Sequence, residues 1–315
     1  MKREARIVMT DTQPGTDSDE WSRWLLHVRH GGDPSFDQRI RGTLDDFANR
    51  VLDGAGLAPG MTLADIGTGT GLVAFRAIER IGPALRVVLT DISAPLLRHV
   101  EGLATERGVR EQCTFIECGA DKLGAIPDSS VDVVTTRAVL AYVADKGGAL
   151  REFLRILKPG GRISLAEPIF QDDAFAACAL RKMIDEPPQQ AAPTDRFRPL
   201  LHRWKAAQFP DTPEKLAASP IANFSERVLF ELTRVAGFTP IHLELHIDMR
   251  PADIASWKTF LETSPHPWAP ALTEILAQQF TPAEQQYFEE IMRPLVESGR
   301  ALTTIRTAYI TASKP

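Results

Sequence analysis

The sequence predicts an α/β fold built on a mostly parallel sheet with helices on both faces. Three observations carry this. Short apolar, strand-like runs recur from residue 62 onward, stretches of helical periodicity separate them, and glycine, proline and capping residues punctuate the joints. Strands alternating with crossover helices of this length bury a parallel sheet on both sides.

Taken in order, residues 1–16 are polar and unpatterned and are expected to be a disordered tail, without the apolar stretch of a secretory signal. Residues 17–56 read as two helices, one carrying Trp21, Trp24, Leu25 and Val28, the other Phe36, Ile40, Leu44, Phe47 and Val51, broken at Gly31-Gly32-Asp33-Pro34. Preceding the first strand, they are expected to act as a lid. Residues 57–168 form the expected core. Its strands are 62–66, 86–91, 112–118, 130–135 and 162–166, and its helices are 72–81, a second begun by Ser93 and stopped at Gly108, and 146–157. Residues 169–225, with helical stretches at 174–184 and 197–208 divided by Pro187-Pro188, Pro210 and Pro220, read as an inserted cap. Residues 226–315 complete the sheet: a helix at 226–236, a strand at 241–247, helices at 254–261, 271–279 and 282–297, and a last alternating strand at 303–311.

Composition narrows the function classes. Of 315 residues, 43% are hydrophobic and 24% charged, an ordinary globular balance. The net charge is −5 and there is no Lys/Arg-rich run, so the basic footprint of a nucleic-acid binder is missing. No apolar run approaches the ~18 residues of a membrane span. Cys113, Cys118 and Cys178 are odd in number and lack zinc-type spacing, which argues against a disulfide framework. Cys113 and Cys118 read as small buried hydrophobes. A cytoplasmic protein is expected.

The chemistry centres on Leu63-Ala-Asp65-Ile-Gly67-Thr68-Gly69-Thr-Gly71. A strand delivers the chain to a tight turn whose glycines let the backbone approach a ligand. The spacing Gly-x-Gly-x-Gly places Leu72 where the dinucleotide fingerprint requires its last glycine, which disfavours a pyrophosphate cradle. Asp91 ends the second strand, twenty residues beyond Gly71, where a carboxylate can accept both hydroxyls of a ribose. Gly119-Ala120-Asp121 follows the third strand, where an acidic side chain can accept from an adenine amino group. All three lie at the carboxyl ends of adjacent strands, where open α/β sheets bind ligands.

These segments, with Thr90-Asp-Ile-Ser93, Ser130-Val-Asp-Val-Val-Thr-Thr-Arg137 and Leu157-Lys-Pro-Gly-Gly-Arg162, resemble class I S-adenosylmethionine-dependent methyltransferases, in the broad group similar to ubiquinone/menaquinone C-methyltransferases. The motifs fall in the family's order over about 100 residues. The resemblance implies a Rossmann-like, seven-stranded sheet whose last strand is antiparallel, with 303–311 in that place and 241–247 before it. It implies S-adenosyl-L-methionine as cofactor. Gly67, Gly69 and Gly71 would contact its methionine portion and Asp91 its ribose. Ile92 would pack on adenine, with Ala120 and Asp121 at the adenine amino group. Asp65 would orient the loop or the cofactor amine, and the Arg137 carbonyl would lie near that amine. Thr68 stands where the family often has cysteine or alanine. The flanking Trp21, Arg29-His-Gly-Gly-Asp33 and 257–268 also look like a bacterial subgroup of such enzymes, which implies no particular acceptor.

On the acceptor side the candidates are His30, as a base on a lid, Tyr142 after the fourth strand, and Glu167 at the end of the fifth. Trp21 and Trp24 read as helix core rather than an aromatic cage, and His242 and His246 as the solvated face of a strand with Glu244. No residue set has metal-ligand spacing: His242-x-Glu244-x-His246 lacks a fourth ligand. The expected activity is methyl transfer by in-line displacement to a small-molecule acceptor, which a large cap favours. The competing classes are an NAD-type oxidoreductase and a non-catalytic S-adenosylmethionine binder. A homodimer through the added helices is open, since no specific feature supports it.

Overall fold

A computed structural model describes residues 18–186 and 195–315; the expected tail over 1–16 and the joint at Pro187-Pro188 lie outside this range. Asp19 begins α1 (Glu20–Arg23) by accepting the Ser22 N–H at 2.8 Å. The chain then widens into one π-helical turn, Trp24–Val28. After the glycine break, Asp33 accepts the N–H groups of Ser35 and Phe36 and starts α2 (Pro34–Ala55). Pro34 occupies the first helical position, where a missing N–H costs nothing.

The sheet contains β1 (Thr62–Ile66), β2 (Arg86–Asp91), β3 (Cys113–Glu117), β4 (Val131–Arg137), β5 (Leu157–Pro168), β6 (Ile241–Pro251) and β7 (Leu302–Ser313). Their order is β3-β2-β1-β4-β5-β7-β6. The first five run parallel, and β7 enters antiparallel between β5 and β6. This is the expected seven-stranded Rossmann-like sheet.

Between the strands run α3 (Leu72–Ile81), α4 (Ala94–Glu106) and α5 (Lys146–Ile156). The long connections add α6 (Gln171–Asp185), α7 (Arg198–Gln208), α8 (Pro213–Ala218), α9 (Glu226–Ala236), α10 (Trp257–Glu262), α11 (Leu272–Gln279) and α12 (Pro282–Glu297). On one face of the sheet, α2, α3 and α4 bury Val51, Leu52, Val73, Phe75 and Val100 against Leu63, Val87 and Leu89. On the other, α5 and α9 bury Leu150, Phe153 and Leu229 against Ile66, Val134, Leu165 and Ile310. Each such side chain contributes about 1.5–3 kcal/mol by leaving water.

Two insertions sit beyond the carboxyl ends of the strands: α6–α8 after β5, and α10–α12 between β6 and β7. They join through a small separate core of Leu200, Trp257, Leu272, Ile275, Phe280 and Phe288. Asp211, almost fully buried, ties α6 to the chain between α7 and α8 by pairing with Arg181, His202 and Lys215.

Four elements depart most from expectation. β5 begins at Leu157 rather than Arg162, because Leu157 already pairs with Val131 before a register shift. β6 and β7 run on together to Pro251 and Leu302 as a long antiparallel pair. The helix α8 was not anticipated; it is one and a half turns capped by Thr212. Among the described residues, no helix is long and apolar enough to cross a membrane.

Candidate functional site

A cavity of about 720 Å³ opens at the carboxyl ends of the central strands. One end is built by three strand tips. After β1 the chain turns through Gly67, Thr68 and Gly69, which all line the cavity. Gly67 has φ +63°, and a Cβ there would meet Val139 Cγ2 at 2.5 Å, so only glycine fits. Gly71, outside the cavity lining, is the N-cap of α3, and a Cβ there would strike the Phe75 ring at 2.5 Å.

Asp65 is buried under this loop and accepts from the hydroxyls of Thr68 and Thr135, each at 2.8 Å. Burial raises its carboxyl to about 6, against the lowering effect of the two hydroxyls. Asp91, at the tip of β2, accepts the Gly69 N–H and the Ser93 N–H, both at 2.9 Å, one on each oxygen. Burial raises its carboxyl as well. Each oxygen keeps acceptor capacity for a further donor. Ile92 is 61% exposed, a large apolar side chain laid against the cavity. Ala120 and Asp121 line the cavity after β3, and so does Cys118, which is half-buried rather than core. Burial pushes the Cys118 thiol up, which keeps it protonated.

The other end is aromatic and basic. Trp21 and Trp24 both line it and are not simple helix core. Trp21 meets Tyr142 edge-on at 5.3 Å and Trp268 at 5.9 Å, closing the cavity toward α10 and α11. Arg29 lies over the Trp24 ring and Arg137 over the Phe47 ring. Residues of β7 from Thr303 to Thr307 form the far wall.

The three candidate bases separate clearly. Glu167 does not reach the cavity. It is fully buried, accepts the Thr136 hydroxyl at 2.6 Å, and takes the N–H groups of Val139 and Ala141 at 3.0 and 3.2 Å. Strand alternation places it behind the sheet tip, so it holds the loop after β4 instead of facing an acceptor. Tyr142 lines the cavity, but burial raises its hydroxyl well above the usual range, so it stays protonated. His30 lines the cavity with its Nδ1 paired to Asp37. Burial and the neighbouring Arg29 hold it below the ordinary histidine value, against the pull of Asp37.

Sequence reasoning missed Arg29 as a site residue, along with the β7 wall and Cys118. The only available signals were an arginine next to His30 and a half-alternating strand. Neither points inward until the fold is known. His242, Glu244 and His246 bond to one another on the outer face of β6, with Arg50 donating to His246.

With this geometry in view, the comparisons with known proteins agree on one family. A family model described as a methyltransferase domain matches residues 57–205. Nocamycin O-methyltransferase of Saccharothrix syringae is 34% identical over 202 residues, which cover 64% of this chain and 67% of that protein. The ubiquinone/menaquinone biosynthesis C-methyltransferase UbiE of Ectopseudomonas mendocina is 38% identical over 135 residues, 39% of this chain and 52% of that one, so the likeness spans about half of that relative. The solved YcgJ protein of Bacillus subtilis shares the fold, with a TM-score of 0.51 at 16% identity over 85% of this chain and 98% of that one. The chain belongs to the class I S-adenosylmethionine-dependent methyltransferases.

Proposed function

We propose that the chain transfers a methyl group from S-adenosyl-L-methionine to a small-molecule acceptor enclosed in this cavity. The observation that carries the reading is convergence: the Gly67–Gly69 loop, Asp91 and the Ala120-Asp121 tip meet at one end of a single cavity whose other end is aromatic. The residues fit the cofactor. Asp91 has spare acceptor capacity for ribose hydroxyls, Ile92 offers an apolar face to adenine, and the buried carboxylate of Asp65 suits a cationic amine. Gly67, where a side chain would clash, lets the backbone reach the methionine portion.

When bound, the cofactor supplies a strongly electrophilic methyl carbon, so the protein's task is alignment and exclusion of water. The 17–56 helices and the 169–225 insertion serve as lid and cap, and the 226–315 segment completes the sheet and carries the second insertion. An acceptor that arrives protonated needs a base. His30, held below the usual histidine value and oriented by Asp37, suits that role; Tyr142 suits hydrogen-bond donation, and Glu167 suits loop positioning.

Incubation with methyl-tritiated cofactor and a fractionated small-molecule extract tests this. Label should pass to an extractable product. Cofactor that binds while its label stays in place would make the chain a binder without transfer activity.

A further inference from the structure

Arginines close to a cavity are ordinarily neutralised by carboxylates, and two of the four that line this one among the described residues are. Arg250 donates to Asp253 at 2.7 Å, and Arg306 pairs with Asp172. Arg29 and Arg137 differ. Both line the cavity, and among the described residues neither makes a salt bridge or a side-chain hydrogen bond. Taking a guanidinium out of water without a partner is costly, and two side by side add repulsion. The pair is close enough that Arg29 depresses Arg137, which burial and that neighbour together push down to about 9. Such an arrangement is sustained where an anion completes it.

The local backbone is shaped to hold both side chains there. Arg29 follows directly on the single π-helical turn, and its N–H donates to the Trp24 carbonyl at 2.7 Å. Wide turns of this kind are rare and recur at functional positions. Arg137 precedes Ala138, a non-glycine residue at φ +57° whose N–H is pinned to the Ala166 carbonyl at 2.8 Å. Each guanidinium lies over an aromatic ring, at 5.3 Å for Arg29 on Trp24 and 5.1 Å for Arg137 on Phe47. The rings take the flat faces and leave the N–H edges for a ligand.

The carboxylates nearby are committed elsewhere. Glu167 holds the β4 loop, and Asp173 on α6 has Lys205 and Arg306 as its cationic neighbours. Asp37 is paired to His30. The cavity wall also carries Phe36, Ile40, Leu44, Phe47 and Tyr142, with His30 within electrostatic reach of both arginines.

We propose that Arg29 and Arg137 form a two-pronged clamp for a carboxylate on the methyl acceptor, whose apolar body packs against the aromatic wall. This rests on the reading that the glycine-loop end holds the cofactor, and it names the acceptor class for the opposite end. It also counts against a cationic acceptor in this cavity, since two guanidinium groups without a salt bridge among the described residues line it.

The test uses the full chain saturated with S-adenosylhomocysteine. It is exposed to a mixture of aryl and alkyl carboxylic acids, each accompanied by its methyl ester and its amine analogue, and retained compounds are identified by mass spectrometry. Acids should be retained about tenfold or more over their esters. That preference should vanish in Arg29→Met and Arg137→Met and partly return in Arg137→Lys, while S-adenosylhomocysteine affinity stays within about threefold of the parent. Its retention also reports that each variant is folded. Esters or amines retained over acids, or no acid retained at all, would overturn the clamp. A loss of S-adenosylhomocysteine affinity of about tenfold in either variant would also overturn it, assigning that guanidinium to the cofactor's own carboxylate. If the parent chain fails to bind S-adenosylhomocysteine, it is the underlying cofactor reading that fails.

Discussion

The carboxylate of Asp91 accepts the N–H of Gly69 at 2.9 Å, so the tip of β2 holds the loop that leaves β1. Its second oxygen accepts the Ser93 N–H, at the residue whose hydroxyl caps α4. One side chain thus sets the shape of two adjoining turns and, in the proposed function, also holds the ribose. Asp91→Ala should lower S-adenosylhomocysteine affinity by about 10- to 100-fold, from the loss of charge-assisted bonds worth about 1.5–3 kcal/mol. Calorimetric titration checks this; unchanged affinity would remove Asp91 from the site.

Gly67 sits at φ +63° with Val139 Cγ2 2.5 Å from where a Cβ would stand. Gly67→Ala should destabilise the fold by about 1–3 kcal/mol, through backbone strain and displacement of the β4 loop. Thermal unfolding reads the first effect and cofactor titration the second. Both should move together, because Val139 belongs to the loop that Glu167 holds.

Asp65 gives a pH dependence with a defined sign. Burial raises it from 3.8 to about 6, so its ionisation weighs against folding, increasingly as pH rises across that interval. A cofactor amine would recover part of that cost by binding the ionised form. Affinity for S-adenosylhomocysteine should therefore fall as pH drops below about 6, and less steeply in Asp65→Asn, where this ionisation is removed. The same variant should unfold at an equal or higher temperature than the parent near pH 8, yet bind the ligand about tenfold more weakly. An affinity that rises on acidification would contradict this role.

Glu167 separates a base from a positioning residue. Glutamine can still accept the Val139 and Ala141 N–H groups and donate to the Thr136 hydroxyl; alanine strands all three. Glu167→Gln should keep turnover within about threefold, while Glu167→Ala should lose about 2–4 kcal/mol of stability. Methyl transfer abolished by the glutamine change, with the fold intact, would restore Glu167 as a catalytic base.

His30 can be followed without an acceptor. Its ring should titrate below 6.5 by nuclear magnetic resonance, since burial and Arg29 lower it. Asp37→Asn should lower the midpoint further by removing the one carboxylate that raises it. A midpoint above the ordinary histidine value would leave His30 cationic near neutrality and unfit to take a proton.

The cofactor end was legible because its chemistry is local. β1, the glycine loop and α3 form one continuous segment, and Asp91 and Asp121 each follow an apolar strand whose end is sharply marked. The bounds of β1, α3, β2, α4, α9 and α12 match the reading of the sequence, the helices α4, α9 and α12 because the caps Ser93, Ser225 and Thr281, and the left-handed Gly237, are unambiguous. The end of β6 was set too early at Ile247: the alternation runs on through Asp248, Met249 and Arg250, and so does the pairing to β7. The acceptor end was least legible. Arg29, Arg137, Trp21 and the β7 wall come from segments up to about 280 residues apart, brought together only by the antiparallel insertion of β7. Glu167 was misread because a strand end shows that a residue is near the ligand edge but not which way its side chain turns.

All of this depends on an adenosyl nucleoside and its amino-acid tail being gripped at the tips of β1, β2 and β3. Parallel calorimetric titrations of the purified chain with S-adenosylhomocysteine and with NAD test that most directly. Saturable binding of one S-adenosylhomocysteine per chain, with no heat from NAD, is the expected result. Binding of NAD, or no response to S-adenosylhomocysteine at saturating concentration, would contradict it.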